Sequence, residues 1–230
     1  MDRVVPNYYW RAVGQPLQRR IMDSKKLQSS SHATYGLSYT EYQVQRSRWR
    51  QAVRRLYLNA AVKLTKGPAL DFGCGAGELL KLLPEGSVGV EYNQNTVTYC
   101  QQQGLNVHWY DGFKDGFSLT DIPWRHGART LYLSHLLEHF DDPMKIMGDL
   151  IESTQPDIER VVIILPGKSG FKIDPTHRTF VDLGMIKEAL NQLPEWSLTY
   201  RRYFPINHER AGDYLAHNEL QLIVDRTGFA

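Results

Sequence analysis

The sequence predicts an α/β fold built on a doubly wound, mostly parallel sheet. Three observations carry that expectation. Short apolar runs alternate with amphipathic segments along most of the chain, as βαβ units require. The first run, Ala69-Leu-Asp-Phe72, opens into a glycine turn, Gly73-Cys-Gly-Ala-Gly77. The second, Ser87-Val-Gly-Val-Glu91, ends in an acid twenty residues after Asp71. In an open α/β sheet this pairing builds a nucleoside site: the glycines let a ligand approach the backbone, and the distal carboxylate accepts ribose hydroxyls.

Each element follows from local pattern. Residues 1–40, with Gln28-Ser-Ser-Ser-His32 and scattered Gly and Pro, read as a flexible or ligand-ordered segment. From Thr40 to Leu64 the apolar Tyr42, Trp49, Val53, Leu56, Ala60 and Leu64 recur at helical spacing, with Arg46, Arg48, Arg50, Arg54 and Arg55 between them. Gly67-Pro68 ends that helix. Strands are expected at Ala69–Phe72, Ser87–Glu91, Asn106–Tyr110, Thr130–Ser134 and Arg160–Leu165. Helices are expected at Ala76–Leu83, Gln94–Gln103, Pro143–Ser153 and Val181–Leu193. The last two strands, Trp196–Tyr203 and Glu219–Asp225, lack an intervening helix of that type, so an antiparallel pairing is expected. The expected division is an N-terminal helical lid or flank at 1–64 and one sheet domain at 65–230.

Composition bounds the class. The 230 residues are 42% hydrophobic and 23% charged, as in globular domains. No 18-residue apolar run suggests a membrane span, and Met1–Trp10 lacks the apolar core of a signal peptide. Cys74 and Cys100 are the only cysteines, which points away from a disulfide framework and toward a reducing cytoplasm. Charge is unevenly spread. Residues 1–66 hold thirteen Lys/Arg against three Asp/Glu, a net of +10; the remainder holds fourteen against twenty-two, a net of −8. Such a flank suits an anionic partner (nucleic acid, phospholipid or a phosphorylated small molecule) or packing on an acidic core.

The glycine turn is specific in its chemistry. A dinucleotide fingerprint reads G-x-G-x-x-G, with pyrophosphate on a helix N-terminus. Here Gly73-x-Gly75-x-Gly77 is followed by Glu78, and Asp71 precedes the turn. Two carboxylates flanking the loop would repel a pyrophosphate but suit a sulfonium and an ammonium. The motif resembles the nucleotide-binding signature of class I methyltransferases dependent on S-adenosylmethionine (SAM). The resemblance implies SAM as cofactor and a Rossmann-like seven-stranded sheet with helices on both faces and an antiparallel last strand. It also implies roles: Asp71, Gly73, Gly75 and Gly77 at the methionine part, Glu91 on the ribose, Tyr92 against the adenine face and Asp111 on the adenine amino group. A plain Asp-Gly turn is the competing reading of Asp111.

The segment Ser134-His-Leu-Leu-Glu-His-Phe-Asp-Asp-Pro143 is similar to the S-x-x-L-E-H-x-x-D-P stretch of small-molecule methyltransferases related to quinone biosynthesis (methyltransferase type 11). It adds Ser134 and His135 to the cofactor side. The same letters spell H-x-x-E-H, a zinc pattern when carried on a helix. Here they span a strand end and a loop, so no metal is expected. An Asn/Asp-Pro-Pro-Tyr motif and a nucleophilic Cys are both missing at this position, which disfavours methylation of base amines and of pyrimidine C5. By the same resemblance, His177 in Asp174-Pro-Thr-His-Arg178 lies in the acceptor-facing loop. His139 and His177 are the candidate general bases, and Arg50, Arg54, His177 and Arg178 the candidate acceptor-binding residues. The expected reaction is methyl transfer to oxygen, rather than nitrogen, of a small-molecule or glycan-type acceptor. An RNA or tRNA methyltransferase using the basic flank, and a non-catalytic SAM-binding protein, are the alternatives.

Overall fold

A computed structural model describes residues 48–228 apart from residue 126, with side chains from Arg55 onward. Most of the expected lid, and the side chains of Arg50 and Arg54, therefore lie outside the described residues.

Strands β1 (Ala69–Phe72), β2 (Val88–Glu91), β3 (Val107–Trp109), β4 (Thr130–Ser134), β5 (Arg160–Pro166), β6 (Trp196–Phe204) and β7 (Glu219–Arg226) form one sheet in the order β3-β2-β1-β4-β5-β7-β6. The first five pair in parallel, and β7 runs antiparallel between β5 and β6. Strand order grows outward from β1 through β2 to β3, then restarts at β4 on the other side. The carboxyl ends of β1 and β4 thus flank the switch point where such sheets bind ligands.

Helices α1 (Arg48–Val62) and α2 (Gln94–Gln102) cover one face; α4 (Pro143–Ser153) and α6 (Leu183–Leu190) cover the other, while α3 (Gly112–Asp115) and α5 (Lys168–Phe171) are single turns. The reason is periodicity. In α4, Ile146, Met147, Leu150 and Ile151 form one buried stripe, started by Pro143 at the first turn and by Asp142, whose side chain accepts from Lys145 N. On the opposite face Ala61, Val97 and Cys100 meet Tyr132, Val162 and Ile164. The C-terminal half of α1 is therefore a layer of the sheet domain. Tyr57 anchors it, donating to the His217 carbonyl at 2.6 Å and packing edge-on against Phe204.

One expected element is corrected. The helix placed at Ala76–Leu83 is a chain of turns with only a 3-10 turn at Leu80–Leu82. Gly77 sits at φ +72°, outside helical space, and removes the first turn. Pro84 then holds Leu83 extended, at φ −72° and ψ 157°. Leu79, Leu80 and Leu83 are buried all the same, so the apolar spacing reflects packing rather than helix.

Candidate active site

The glycine turn is braced by the acid at the end of β2. Gly73 N and Cys74 N donate to the Val90 carbonyl at 2.9 and 3.0 Å. Gly75 N donates to Glu91 Oε2 at 3.0 Å, and Asn93 N to Glu91 Oε1 at 2.8 Å. Each carboxylate oxygen keeps a lone pair for a ligand hydroxyl, as bidentate ribose binding needs. Burial raises the Glu91 pKa, against the opposing pull of these backbone donors. Gly73 and Gly77 sit in left-handed backbone, at φ +74° and +72°, with leucine side chains close by. A Cβ on Gly73 would meet Leu136 Cδ1 at 2.7 Å, and one on Gly77 would meet Leu105 Cδ1 at 2.4 Å. Gly75 is left as the half-buried position whose backbone faces Glu91.

The loop's field tests which nucleoside fits. The Cys74 thiol within it is pushed well up by its hydrogen bond with Cys100, by burial, and by the negative charges of Asp71 and Glu91. Asp71 is itself 2% exposed, at the end of β1. A loop lying in the field of two carboxylates favours a cationic ligand over a pyrophosphate. The residues present therefore fit SAM.

Beyond β3, Asp111 caps α3 through Phe113 N at 3.2 Å and lies 3.7 Å from Lys114 Nζ. The carboxylate is buried and partly committed to that cap. Tyr92 is half-buried, and its carbonyl accepts from Trp109 Nε1 at 2.7 Å. Phe113, 72% exposed beside Asp111, is an aromatic surface that the sequence reading passed over.

On the other side of the switch point, the segment after β4 and the loop after α5 converge. Ser134 ends β4 half-buried. Glu138 is wholly buried, and neither of its oxygens accepts a hydrogen bond among the described residues. Oε1 faces His135 Nδ1 at 3.5 Å and His177 Nε2 at 3.8 Å. His135, at φ +50°, also places Nε2 3.0 Å from Glu219 Oε2. Burial alone would lower the His135 pKa, but the nearby carboxylates of Glu138 and Glu219 outweigh it and push it up to about 10. Its side chain is 42% exposed, so solvent screens part of this pairing. The direction stands, because a carboxylate faces each ring nitrogen.

His139 and His177 meet edge-on with ring centroids 4.8 Å apart. His177 is stacked on Phe171 and donates Nδ1–H to the Phe171 carbonyl at 2.8 Å. Thr176 Oγ1 donates to Asp174 Oδ1 at 2.6 Å, so its lone pair accepts from His139 Nδ1–H at 3.1 Å. Both imidazoles therefore keep Nε2 as a free lone pair. Burial lowers the His139 pKa, against the opposing negative charge of Glu138. Arg178 N donates to the Glu138 carbonyl at 2.7 Å, while its guanidinium bonds Asp141 at 2.7 Å.

With this geometry in view, similarity to known proteins becomes informative. A family profile described as a methyltransferase domain matches residues 41–230. The chain belongs to that family. It is a SAM-dependent methyltransferase of class I. No curated protein is significantly similar to this methyltransferase in sequence. Solved structures share its fold. A SAM-dependent methyltransferase from Archaeoglobus fulgidus is 21% identical, with 81% of this chain and 97% of that chain covered and a TM-score of 0.55. The plantazolicin methyltransferase BamL, in complex with a triazolic desmethylPZN analog and SAH, is 12% identical, with 82% and 90% covered and a TM-score of 0.54. Magnesium protoporphyrin IX methyltransferase from Synechocystis PCC 6803, with bound SAM, is 15% identical, with 77% and 79% covered and a TM-score of 0.50. The finer likeness to the quinone-biosynthesis group rests on the Ser134–Pro143 segment of the methyltransferase alone.

Sequence reasoning missed Glu219, Thr176 and Asp174 as partners of the predicted histidines. A signal for Glu219 existed: an acid opening an otherwise apolar strand, Glu219-Leu-Gln-Leu-Ile-Val. Because β7 is antiparallel, its first residue lies at the sheet's carboxyl edge, opposite Pro166 of β5.

Proposed function

We propose that the enzyme methylates a hydroxyl oxygen of an anionic small-molecule or glycan-type acceptor, held at the Glu138–His139–His177 cluster. One observation carries this reading. A buried carboxylate and two imidazoles with open Nε2 atoms converge beyond β4 and β5, and Leu136, which precedes them, packs on Gly73 of the cofactor loop. An amine acceptor is nucleophilic already, whereas a hydroxyl must lose its proton, so a group of proton-handling side chains suits oxygen.

The roles divide accordingly. Asp71, Gly73, Gly75, Gly77 and Glu91, with Tyr92, Asp111, Ser134 and His135 around them, hold the cofactor. When bound, SAM supplies a methyl group already activated by its sulfonium. One of His139 and His177 would take the single proton of the acceptor hydroxyl, while the bound sulfonium would supply the methyl group and retain the electron pair of its S–CH₃ bond. Orientation of the acceptor oxygen in line with that bond contributes roughly 7–11 kcal/mol where the geometry is good. Arg178, with Arg50 and Arg54 of the basic flank at 1–64, offers positive charge to an anionic acceptor.

The test is methyl-labelled SAM with fractionated cell extract. Label in a small-molecule fraction, as an ether or ester, supports the proposal; label confined to RNA, with a steep salt dependence of binding, overturns it. Charge reversal of Arg50 and Arg54 should raise acceptor KM about tenfold with SAM affinity nearly unchanged. Equal loss of both would remove the lid reading.

A further inference from the structure

The oxygen Oε2 of Glu138 poses a physical problem. It is fully buried and has no hydrogen-bond donor among the described residues. An isolated carboxylate oxygen in such a place costs several kcal/mol unless a cation meets it. His135 and His177 approach only the other oxygen, and at distances beyond a good hydrogen bond.

The geometry points to a divalent-cation site made by Glu138, His139 and His177. One ligand atom from each lies within 4.8 Å of the others. The outer partners suit the purpose as well. A metal-binding imidazole usually donates its second nitrogen to a carbonyl or carboxylate, which fixes its tautomer and its aim. His177 does so to the Phe171 carbonyl, and His139 does so through Thr176, whose hydroxyl is held by Asp174.

His135 and His139, the two histidines of the H-x-x-E-H letters, do diverge: His135 turns to Glu219. The second imidazole comes instead from His177, beyond β5. Two imidazoles and one carboxylate match a first-row divalent cation such as Zn²⁺, with open positions for an outside ligand. Tetrahedral ligation at about 2.0–2.1 Å sets ligand atoms about 3.4 Å apart, so the three side chains would close by about 1–1.5 Å. This inference rests on the proposed hydroxyl acceptor and specifies how its proton is lost. With the cation in place, the imidazoles would be its ligands instead of the bases assigned above, and the acceptor oxygen, coordinated to the cation, would release its proton to solvent at neutral pH.

The experiment uses the full chain, stripped with a chelator. Zn²⁺ is titrated by calorimetry and Co²⁺ by visible absorption, with SAH binding measured in parallel. One cation per chain is expected, with Co²⁺ ligand-field bands. Affinity should fall at least 100-fold in Glu138→Gln and His177→Gln, and 10–100-fold in Asp174→Asn, a half-buried loop position whose change spares the core. SAH affinity should be unchanged throughout. Failure to take up either cation, in a chain that still binds SAH, overturns the site and leaves the methyltransferase reading intact. Undiminished uptake by the Glu138→Gln and Asp174→Asn variants overturns it too. Loss of SAH binding in the unaltered chain would instead strike the cofactor assignment.

Discussion

Replacing Glu91 by Gln separates ligand recognition from loop bracing. The native carboxylate accepts from Gly75 N at 3.0 Å through one oxygen and from Asn93 N at 2.8 Å through the other. Under the proposed role both oxygens also accept ribose hydroxyls. An amide keeps one acceptor and turns the other position into a donor, so one backbone N–H faces an N–H. Losing a hydrogen bond to a charged group costs about 1.5–3 kcal/mol, and here one is lost to the ribose and one to the backbone. The two losses fall on different measurements. The backbone loss acts on stability, where it is offset because burial already works against the Glu91 charge. The ribose loss acts on SAM affinity, where nothing offsets it.

The expected result is a Kd for SAH raised about 10–150-fold by calorimetry, with stability in urea changed by no more than about 1 kcal/mol. Similar losses in Kd and stability would make Glu91 a loop brace only. A Kd changed less than about threefold, with stability intact, would refute the ribose assignment.

Other outcomes follow from the same loop. Gly77→Ala places a side chain at φ +72° and brings a Cβ to 2.4 Å from Leu105 Cδ1, the movable end of a side chain; about 1–2 kcal/mol of urea stability should be lost to the left-handed backbone, and a loss under about 0.5 kcal/mol would show that reading to be wrong. The raised Glu91 pKa gives a pH dependence whose sign is definite. Ribose binding needs the ionised form, so SAH affinity should decline as pH falls through the raised pKa, at higher pH than for an ordinary glutamate. Stability should respond in the opposite sense, because the folded state holds that proton more tightly than the unfolded one. A Glu91→Gln chain with the same pH profile of SAH binding would sink the assignment.

The parallel sheet was largely readable in the sequence because its signals are local. The runs at 69–72 and 130–134 coincide with β1 and β4, and Pro143–Ser153 with α4, since apolar period and a proline at the first turn mark them unambiguously. The Ala76–Leu83 segment misled because three buried leucines imitate helical spacing, while the left-handed Gly77 acts through tertiary contact with Leu105. The cofactor half of the site was legible, as its residues follow each other along β1, its turn and β2. The acceptor half was legible only as separate letters. His139 and His177 could be named, but Asp174 and Thr176 set their tautomers through a loop hydrogen-bond chain that no spacing rule encodes.

The sheet's topology explains why the two halves can serve different ends. The cofactor acids stand on β1 and β2, which pair with each other on one side of the switch point. The acid–imidazole cluster stands beyond β4 and β5, joined by Glu219 of β7. Had β7 run parallel, its carboxyl-edge residue would be its last one, Arg226, and His135 would face a cation there. The antiparallel strand delivers an acid to the edge instead, and with Glu138 it holds His135 as an imidazolium in a left-handed conformation that costs energy for any residue with a Cβ. That strain is sustained by two carboxylates rather than by the cofactor loop. Changes at Asp174 should therefore retune the acceptor side while Gly75 and Glu91 keep the same grip on SAM, the halves being joined among the described residues by the β1–β4 pairing and by Leu136 packed on Gly73.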